Sequence, residues 1–360
     1  MTERPLIAIG LMSGTSADGI DAALIETDGH GVQATGGFLT LPMPPGLRAE
    51  ILAATRDPVR CEDDPLADLE RAITNAHAEA VQGLLAQAGV PAAAIDVIGF
   101  HGQTVLHRPE RRLTRQLGDG ARLAAAMGIA VVNRFRDADV ASGGQGAPLV
   151  PLFHQALARD LAQPMAVLNI GGVANVTYID GETLLAFDTG PGNALIDDWV
   201  HDHTGQRFDA DGAFAAAGTV DAVLLSALLA HRYFRAVPPK SLDRNDFAET
   251  GLAGLSLQDG AATLAEFTAQ SVARAREHVP CPPRRWLIGG GGRHNAALMG
   301  RLRAVLGVSV EPVEAVGWNG DALEAQAFGF LAVRSLRGLP LSVPSTTGVP
   351  YPMPGGIVHR

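Results

Sequence analysis

Residues 14–21 gather two glycines, two hydroxyls and two carboxylates into one short segment: Gly14, Thr15, Ser16, Ala17, Asp18, Gly19, Ile20 and Asp21. Glycine lets backbone N–H groups come close to an anion, Thr15 and Ser16 add hydroxyl donors, and Asp18 and Asp21 are of the type that holds a divalent cation. Apolar runs flank the segment, so it reads as the tip of a hairpin suited to phosphate and its accompanying Mg2+. A plain β-hairpin with a polar tip fits the same residues.

The device recurs. Met165-Ala166-Val167-Leu168-Asn169-Ile170 leads into Gly171-Gly172-Val173-Ala174-Asn175 and returns through Val176-Thr177-Tyr178-Ile179. A third turn, Gly289-Gly290-Gly291-Gly292, follows Trp286-Leu287-Ile288 and opens a helical pattern near Asn295. Strand, glycine turn and helix N-terminus together make a nucleotide site. Gly171 and Gly172 are thereby expected on the phosphates of ATP, and Gly290, Gly291 and Asn295 at its adenosine. Two phosphate hairpins followed by a late glycine turn resemble the actin, hexokinase and Hsp70 superfamily.

Other nucleotide folds fail on the same residues. A Walker A loop needs G-x-x-x-x-G-K-[ST] and a protein kinase needs a strand lysine, but the single lysine is Lys240, in Val237-Pro238-Pro239-Lys240-Ser241. A Rossmann fingerprint would need a third glycine where Arg293 and His294 stand.

Two carboxylates are candidates for catalysis. Asp188 ends the apolar run 183–187 and precedes Thr189-Gly190-Pro191-Gly192-Asn193. A positioned carboxylate there can act as general base, worth roughly 10²- to 10⁴-fold, while an Asx-turn or a helix cap is the ordinary alternative. Glu324 lies between Leu323 and Ala325 in an apolar-faced helical pattern, where a solvated glutamate is the usual finding. His101, Gln103, Thr104, Asp119 and Arg136 form a second tier, with Arg136 able to grip a carboxylate as a fork or simply to face solvent. The histidines at 201, 203, 231, 294 and 359 lack metal-ligand spacing.

The 360 residues suffice for two lobes, and 47% hydrophobic with 18% charged residues marks a well-packed chain. A net charge of −10 argues against nucleic acid or an anionic membrane as partner. No apolar run is long enough for a membrane span, the N-terminus lacks a leader pattern, and Cys61 and Cys281 read as incidental thiols. The expected location is the cytoplasm.

Coarse patterning gives a helix over 66–88, a strand over 95–100 ending in His101-Gly102-Gln103-Thr104, a helix over 121–127 and a strand over 129–132. After the loop 141–148, helices are expected over 194–203, 220–231, 257–277 and 321–336, with a Pro-rich tail from Pro340 returning to the first lobe. The expected lobes are 1–137 with 338–360, and 138–337.

These segments together resemble one family, the anhydro-N-acetylmuramic acid kinases. The matching strings are Gly10-Leu11-Met12-Ser13-Gly14-Thr15-Ser16 with Asp18-Gly19, His101-Gly102-Gln103-Thr104, and Gly143-Gly144-Gln145-Gly146-Ala147-Pro148-Leu149-Val150-Pro151. Further along stand Asn169-Ile170-Gly171-Gly172 with Ala174-Asn175, Phe187-Asp188-Thr189-Gly190-Pro191-Gly192-Asn193, Pro238-Pro239-Lys240-Ser241, Gly290-Gly291-Gly292 with Asn295, and residues 321–328. The resemblance implies a two-lobed, actin/hexokinase-like (ribonuclease H-like) α/β ATPase fold with a nucleotide cleft between the lobes. It implies an ATP- and Mg2+-dependent kinase acting in peptidoglycan recycling as a cytoplasmic homodimer. The reaction would open the 1,6-anhydro ring of 1,6-anhydro-N-acetylmuramic acid with water while phosphorylating O6, giving N-acetylmuramate 6-phosphate and ADP. It assigns Asp188 and Glu324 to catalysis, the second tier to substrate, and Lys240 at most to lobe closure. Two departures stand out: Arg134 occupies the place of the family's aspartate before Phe135-Arg136, and Leu242-Asp243 replaces its commoner Thr-Gly. Other readings are a kinase of the same fold for another sugar or carboxylate, and an actin- or Hsp70-like ATP switch, for which the chain lacks a separate extension or polymer-forming insertions.

Overall fold

A computed structural model describes residues 4–242, 244–247 and 251–360. Among them the strands are β1 (Leu6–Ser13), β2 (Gly19–Thr27), β3 (Val32–Pro42), β4 (Val97–Arg108), β5 (Leu113–Leu117) and β6 (Val131–Asn133). These are followed by β7 (Met165–Ile170), β8 (Val173–Asp180), β9 (Thr183–Pro191), β10 (Arg285–Gly289), β11 (Ser309–Pro312) and β12 (Ile357–His359). The chain divides into two compact units, one reaching residue 160 and resuming at 321–360, the other spanning 161–320.

In the first unit β3, β2 and β1 form an antiparallel meander, and β4 and β6 extend it in parallel from the β1 side. The second unit repeats the plan with β9, β8 and β7 antiparallel and β10 and β11 parallel. The first sheet thus runs β3-β2-β1-β4-β6 and the second β9-β8-β7-β10-β11, the shared order of the ribonuclease H-like fold, as expected. Parallel neighbours need long crossovers, and helices supply them. Helix Ala67–Ala88 precedes β4 and buries Leu69, Ile73, Ala76, Ala80, Val81 and Leu84 at three- and four-residue spacing. In the second unit Leu298, Leu302 and Val272 close over Leu168, Ile170, Trp286 and Ile288.

The units divide at 160/161 and 320/321, not at the expected 137/138 and 337/338. Helix Leu323–Leu336, expected in the second lobe, belongs to the first unit, and the cause is visible at two glycines. A Cβ on Gly10 of β1 would stand 1.7 Å from the Ala325 carbonyl oxygen, and one on Gly99 of β4 would stand 2.0 Å from that of Phe328. Strand and helix backbones lie in direct contact there. The helix buries Phe328, Phe330 and Leu331, each worth about 1.5–3 kcal/mol of transfer free energy. The tail returns to the first unit as expected, with β12 antiparallel to β6.

Two strands outrun their expected ends. β4 continues through 101–104, because Gly102, at φ 77°, absorbs an irregularity beside β1 and the chain then pairs with β5. β9 continues through Asp188 to Pro191, pairing Asp188 with Asn175; helix Ala194–Thr204 has Asn193 at its N-cap. Asp188 is therefore neither a helix cap nor a loop residue.

Candidate functional site

The first hairpin turns through an Ala17 N–H to Gly14 carbonyl bond of 3.0 Å, with Ala17 at φ 50°. Ala17 and Ile20 are buried, whereas Thr15 and Ser16 stand exposed at the tip. Gln103 braces the turn from β4, its Nε2 donating to the Gly14 carbonyl at 3.1 Å. Its Oε1 is buried without a partner in the described structure, a costly state for an amide oxygen. A ligand donor or a water would relieve it.

Asp18 pairs with Arg48 at 3.1 Å. Asp21 accepts from Thr40 Oγ1 at 2.6 Å, and burial, with Asp321 nearby, pushes its carboxyl above the usual range. A carboxylate held up by burial and a like charge suits a cation, so Asp21 fits Mg2+. Asp18, already on a guanidinium, fits it less well. No cluster of three metal-ligating side chains occurs among the described residues.

Arg136 is the centre of a second group in the same unit. Its Nε donates to His101 Nε2 at 3.0 Å and its Nη1 to the Gly146 carbonyl at 2.6 Å. His101 Nδ1 donates to the Gly102 carbonyl at 2.7 Å, and the ring lies 4.4 Å from that of Phe328. Both ring nitrogens are thus engaged and the ring is neutral; burial, then Arg136, holds its pKa well below the usual value. Burial also pushes Arg136 down to about 10, opposed by the charges of Glu324 and Asp139. Glu324 in the first helical turn is brought to this group by the Gly10 contact. Asp139, not foreseen from sequence, accepts from Gly146 N–H at 2.6 Å, Thr347 Oγ1 at 2.6 Å and Ser342 Oγ. It fastens the 143–148 loop to the tail, and only three-dimensional contact reveals it.

Two other second-tier residues make hydrogen bonds within the fold. Asp119 is the N-cap of helix Gly120–Met127, accepting from Arg122 N–H at 2.9 Å. Thr104 Oγ1 accepts from Gln116 Nε2 at 3.3 Å. Arg134 lies exposed and pairs with Asp137 at 2.5 Å.

In the second unit Asp188 stands near the end of β9. Its Oδ2 accepts from Leu242 N–H at 2.8 Å, and Oδ1 meets no donor among the described residues. Burial pushes the carboxyl up to about 7 against the lowering effect of that N–H. The backbone is held too: Asp188 N–H donates to the Lys240 carbonyl at 3.1 Å, and Tyr233 Oη donates to the Asp188 carbonyl at 2.6 Å. Asp243 lies outside the described residues.

The glycines of the turns fall into two kinds. Gly290, at φ 70°, would drive a Cβ to 2.4 Å from Asn169 Oδ1, so the fold itself demands it. Gly14, Gly171, Gly172 and Gly291 have ordinary φ, and a Cβ on any of them would meet nothing closer than 3.6 Å. Neither conformation nor packing explains those four. Asn295 caps helix Ala296–Leu306, its Oδ1 accepting from Leu298 N–H at 2.9 Å, which leaves its Nδ2 as the group able to face a nucleotide.

A sequence profile for the family described as anhydro-N-acetylmuramic acid kinase matches residues 6–359. Proteins of that name are similar to this chain in Rhodospirillum rubrum, at 59% identity over 97% of this chain and 93% of theirs, and in Acidiphilium cryptum, at 57% over 98% of each. Another, in Rhizorhabdus wittichii, is 53% identical over 99% of both chains. Among solved structures, Acidaminococcus fermentans (R)-2-hydroxyglutaryl-CoA dehydratase component A aligns at TM-score 0.49 and 11% identity, over 92% of this chain and 99% of that one. With a profile match across nearly every residue and such identities at full length, the chain belongs to the anhydro-N-acetylmuramic acid kinase family.

Proposed function

We propose that this kinase uses ATP to phosphorylate O6 of 1,6-anhydro-N-acetylmuramic acid while water opens the anhydro ring. Water attacks the anomeric carbon, the bond from that carbon to O6 breaks, O6 takes the γ-phosphoryl group, and ADP leaves. The proton of the attacking water goes to Asp188. The observation that supports this role best is the state of the Asp188 carboxyl: one oxygen is fixed by Leu242 N–H, and burial raises its pKa to about 7. A base poised near the working pH both holds and releases a proton.

The remaining assignments follow the chemistry of each group. Gly14, Thr15, Ser16, Gly171 and Gly172 serve the phosphates, with backbone contributions from Ala17, Gly19 and Ile20. Gly290, Gly291 and Asn295 serve the adenosine. Arg136 receives the sugar's carboxylate, with His101 holding the guanidinium, and Glu324 and Gln103 take its hydroxyl or amide protons. Mg2+ would offset phosphate charge, with Asp21 rather than Asp18 facing it. In this reading the enzyme acts in the cytoplasm as a homodimer; among the described residues no single helix is long and apolar enough to cross a membrane, and light scattering tests the dimer.

The deciding experiment supplies ATP with and without 1,6-anhydro-N-acetylmuramic acid, beside a panel of other sugars and carboxylates. The expected product carries one added water and one added phosphoryl group. Equal turnover of an unrelated acceptor, or phosphate on an unopened ring, would overturn the assignment.

A further inference from the structure

Lys240 lies in a string that the chemistry above does not use, yet it sits against the residue on which that chemistry turns. Its carbonyl takes the Asp188 N–H and, two residues on, Leu242 gives its own N–H to Asp188 Oδ2. Residues 240–242 therefore run beside Asp188 and hold both its backbone and one carboxylate oxygen. Tyr233 completes the hold from another segment, its hydroxyl on the Asp188 carbonyl.

Something must in turn seat these three residues. The Lys240 ammonium lies 4.7 Å from the centre of the Tyr233 ring and 5.9 Å from that of Phe187, the residue before Asp188. It also reaches the Tyr233 carbonyl at 3.4 Å and His278 Nε2 at 3.5 Å. A cation over an aromatic face is attracted by the ring quadrupole, more so when partly desolvated. Leu242 packs against the cluster of Leu228, Tyr233, Phe234, Phe247 and Phe267. One tyrosine thus carries the lysine on its ring and the aspartate on its hydroxyl.

We infer that residues 240–242 are a strap that orients Asp188, and that Tyr233 and Lys240 are positioning residues acting on the reaction only through it. The inference rests on the reading of Asp188 as the base. A strap of this kind matters because a carboxylate that swings costs proton transfer far more than it costs ligand binding. It also gives the lysine a role other than closure or phosphate contact: its ammonium is spent on rings, and its carbonyl is the part that meets Asp188.

The test is a set of kinetic cycles on the full chain: Lys240→Met, Lys240→Arg, Tyr233→Phe and Asp188→Asn, alone and combined. Lys240→Met removes the cation and keeps an apolar stem, and kcat is expected to fall about tenfold with KM for ATP and sugar unchanged. Lys240→Arg restores a cation over the rings and should recover most of that loss. Tyr233→Phe keeps the ring and deletes only the hydroxyl, with a smaller fall in kcat. In the Asp188→Asn background, Lys240→Met and Tyr233→Phe should cost nothing further, because residues acting as one unit are not additive. If Asp188→Asn cuts turnover to a measurable residual rate and the strap variants still reduce that rate by the same factor, or if they raise KM in place of lowering kcat, the strap is wrong while the base stands. If Asp188→Asn itself turns over normally, the base reading fails and the strap with it. A melting temperature for each variant identifies one that has simply unfolded; Tyr233→Phe, the mildest change, then carries the test.

Discussion

In the first unit the last pair of the hairpin is Met12 with Asp21, and residues 13–20 extend beyond it. In the second the last pair is Ile170 with Ala174, leaving only Gly171, Gly172 and Val173. The strand order around both hairpins is the same, so the difference lies in what each tip can offer. A long tip presents side chains, here Thr15, Ser16 and Asp18 with its Arg48 partner. A three-residue tip of Gly171, Gly172 and Val173 presents backbone and no polar side chain. The polar groups behind the tips differ likewise. Behind the first, Arg136 bonds His101 directly and is joined to Asp139 through Gly146, whose carbonyl accepts from Arg136 and whose N–H donates to Asp139. Behind the second, among the described residues, the Asp188 carboxyl accepts from Leu242 N–H while burial opposes its charge. A linked group of opposite charges is suited to gripping a ligand, and a carboxylate with a raised pKa is suited to taking a proton.

The contrast is broken hardest at Asp188. Asp188→Asn keeps the shape and a carbonyl to accept from Leu242 N–H, but an amide takes no proton at neutral pH. Turnover should drop at least about 100-fold, while calorimetric affinities for ATP and sugar change far less. Loss of binding together with turnover would make Asp188 a positioning residue, and normal turnover would move the search to Glu324.

The two kinds of glycine allow a cleaner cut. Gly172→Val meets only Ala194 Cβ, at 3.6 Å from its own Cβ, so the fold should survive while ATP affinity falls about tenfold or more, because a branched side chain stands where backbone must meet an anion. Gly10→Ala should do the reverse. Its Cβ collides with the Ala325 carbonyl, and overpacking against backbone costs about 3 kcal/mol or more, read as a lower melting temperature. A Gly172→Val protein that binds ATP normally would remove the second turn from the phosphate site. On the first unit's side, Arg136→Lys loses the fork that reaches His101 and Gly146 together. KM for the sugar should rise about tenfold with KM for ATP unchanged, and equal effects on both would deny Arg136 its acceptor.

Much of this arrangement is legible in the sequence, for physical reasons that vary from place to place. Both hairpins show because strand, glycine turn and strand are local patterns. Helix Leu323–Leu336 also shows, through its apolar spacing, yet its allegiance to the first unit does not: that depends on Gly10 and Gly99, more than two hundred residues upstream. The ends of β4 and β9 were hidden because Gly102 and Gly190 look like breakers, whereas here they let a strand continue. His101 and Asp119 read as ligand contacts, and in the fold His101 has both ring nitrogens on Arg136 and Gly102 while one oxygen of Asp119 caps a helix. The strap at Asp188 and the Asp139 anchor join segments some 50 and 200 residues apart, and no local pattern carries such a pairing.

The smallest expected effect uses pH to separate the units by stability. The Asp188 carboxyl rises from an ordinary 3.8 to about 7 in the folded protein through burial. Below pH 4 both folded and unfolded chains hold its proton, and the full stabilising contribution of the neutral form is present. Between pH 4 and 7 the unfolded chain ionises while the folded one resists, so that contribution declines until the folded carboxyl ionises as well. Asp188→Asn, which cannot ionise, should therefore gain melting temperature relative to the parent as pH rises from 5 to 8, even as it loses turnover. A poised base that weakens the fold is a familiar exchange of stability for activity. Because Asp188 is only half-buried by exposure, the gain should be modest, and the informative quantity is the difference between the two proteins across pH rather than either curve alone. Arg136→Lys, altering a group that stays charged throughout this range, should show a difference that does not vary with pH. If the Asp188→Asn curve runs parallel to the parent as well, the carboxyl titrates as an ordinary aspartate, and the second unit loses the property that sets it apart from the first.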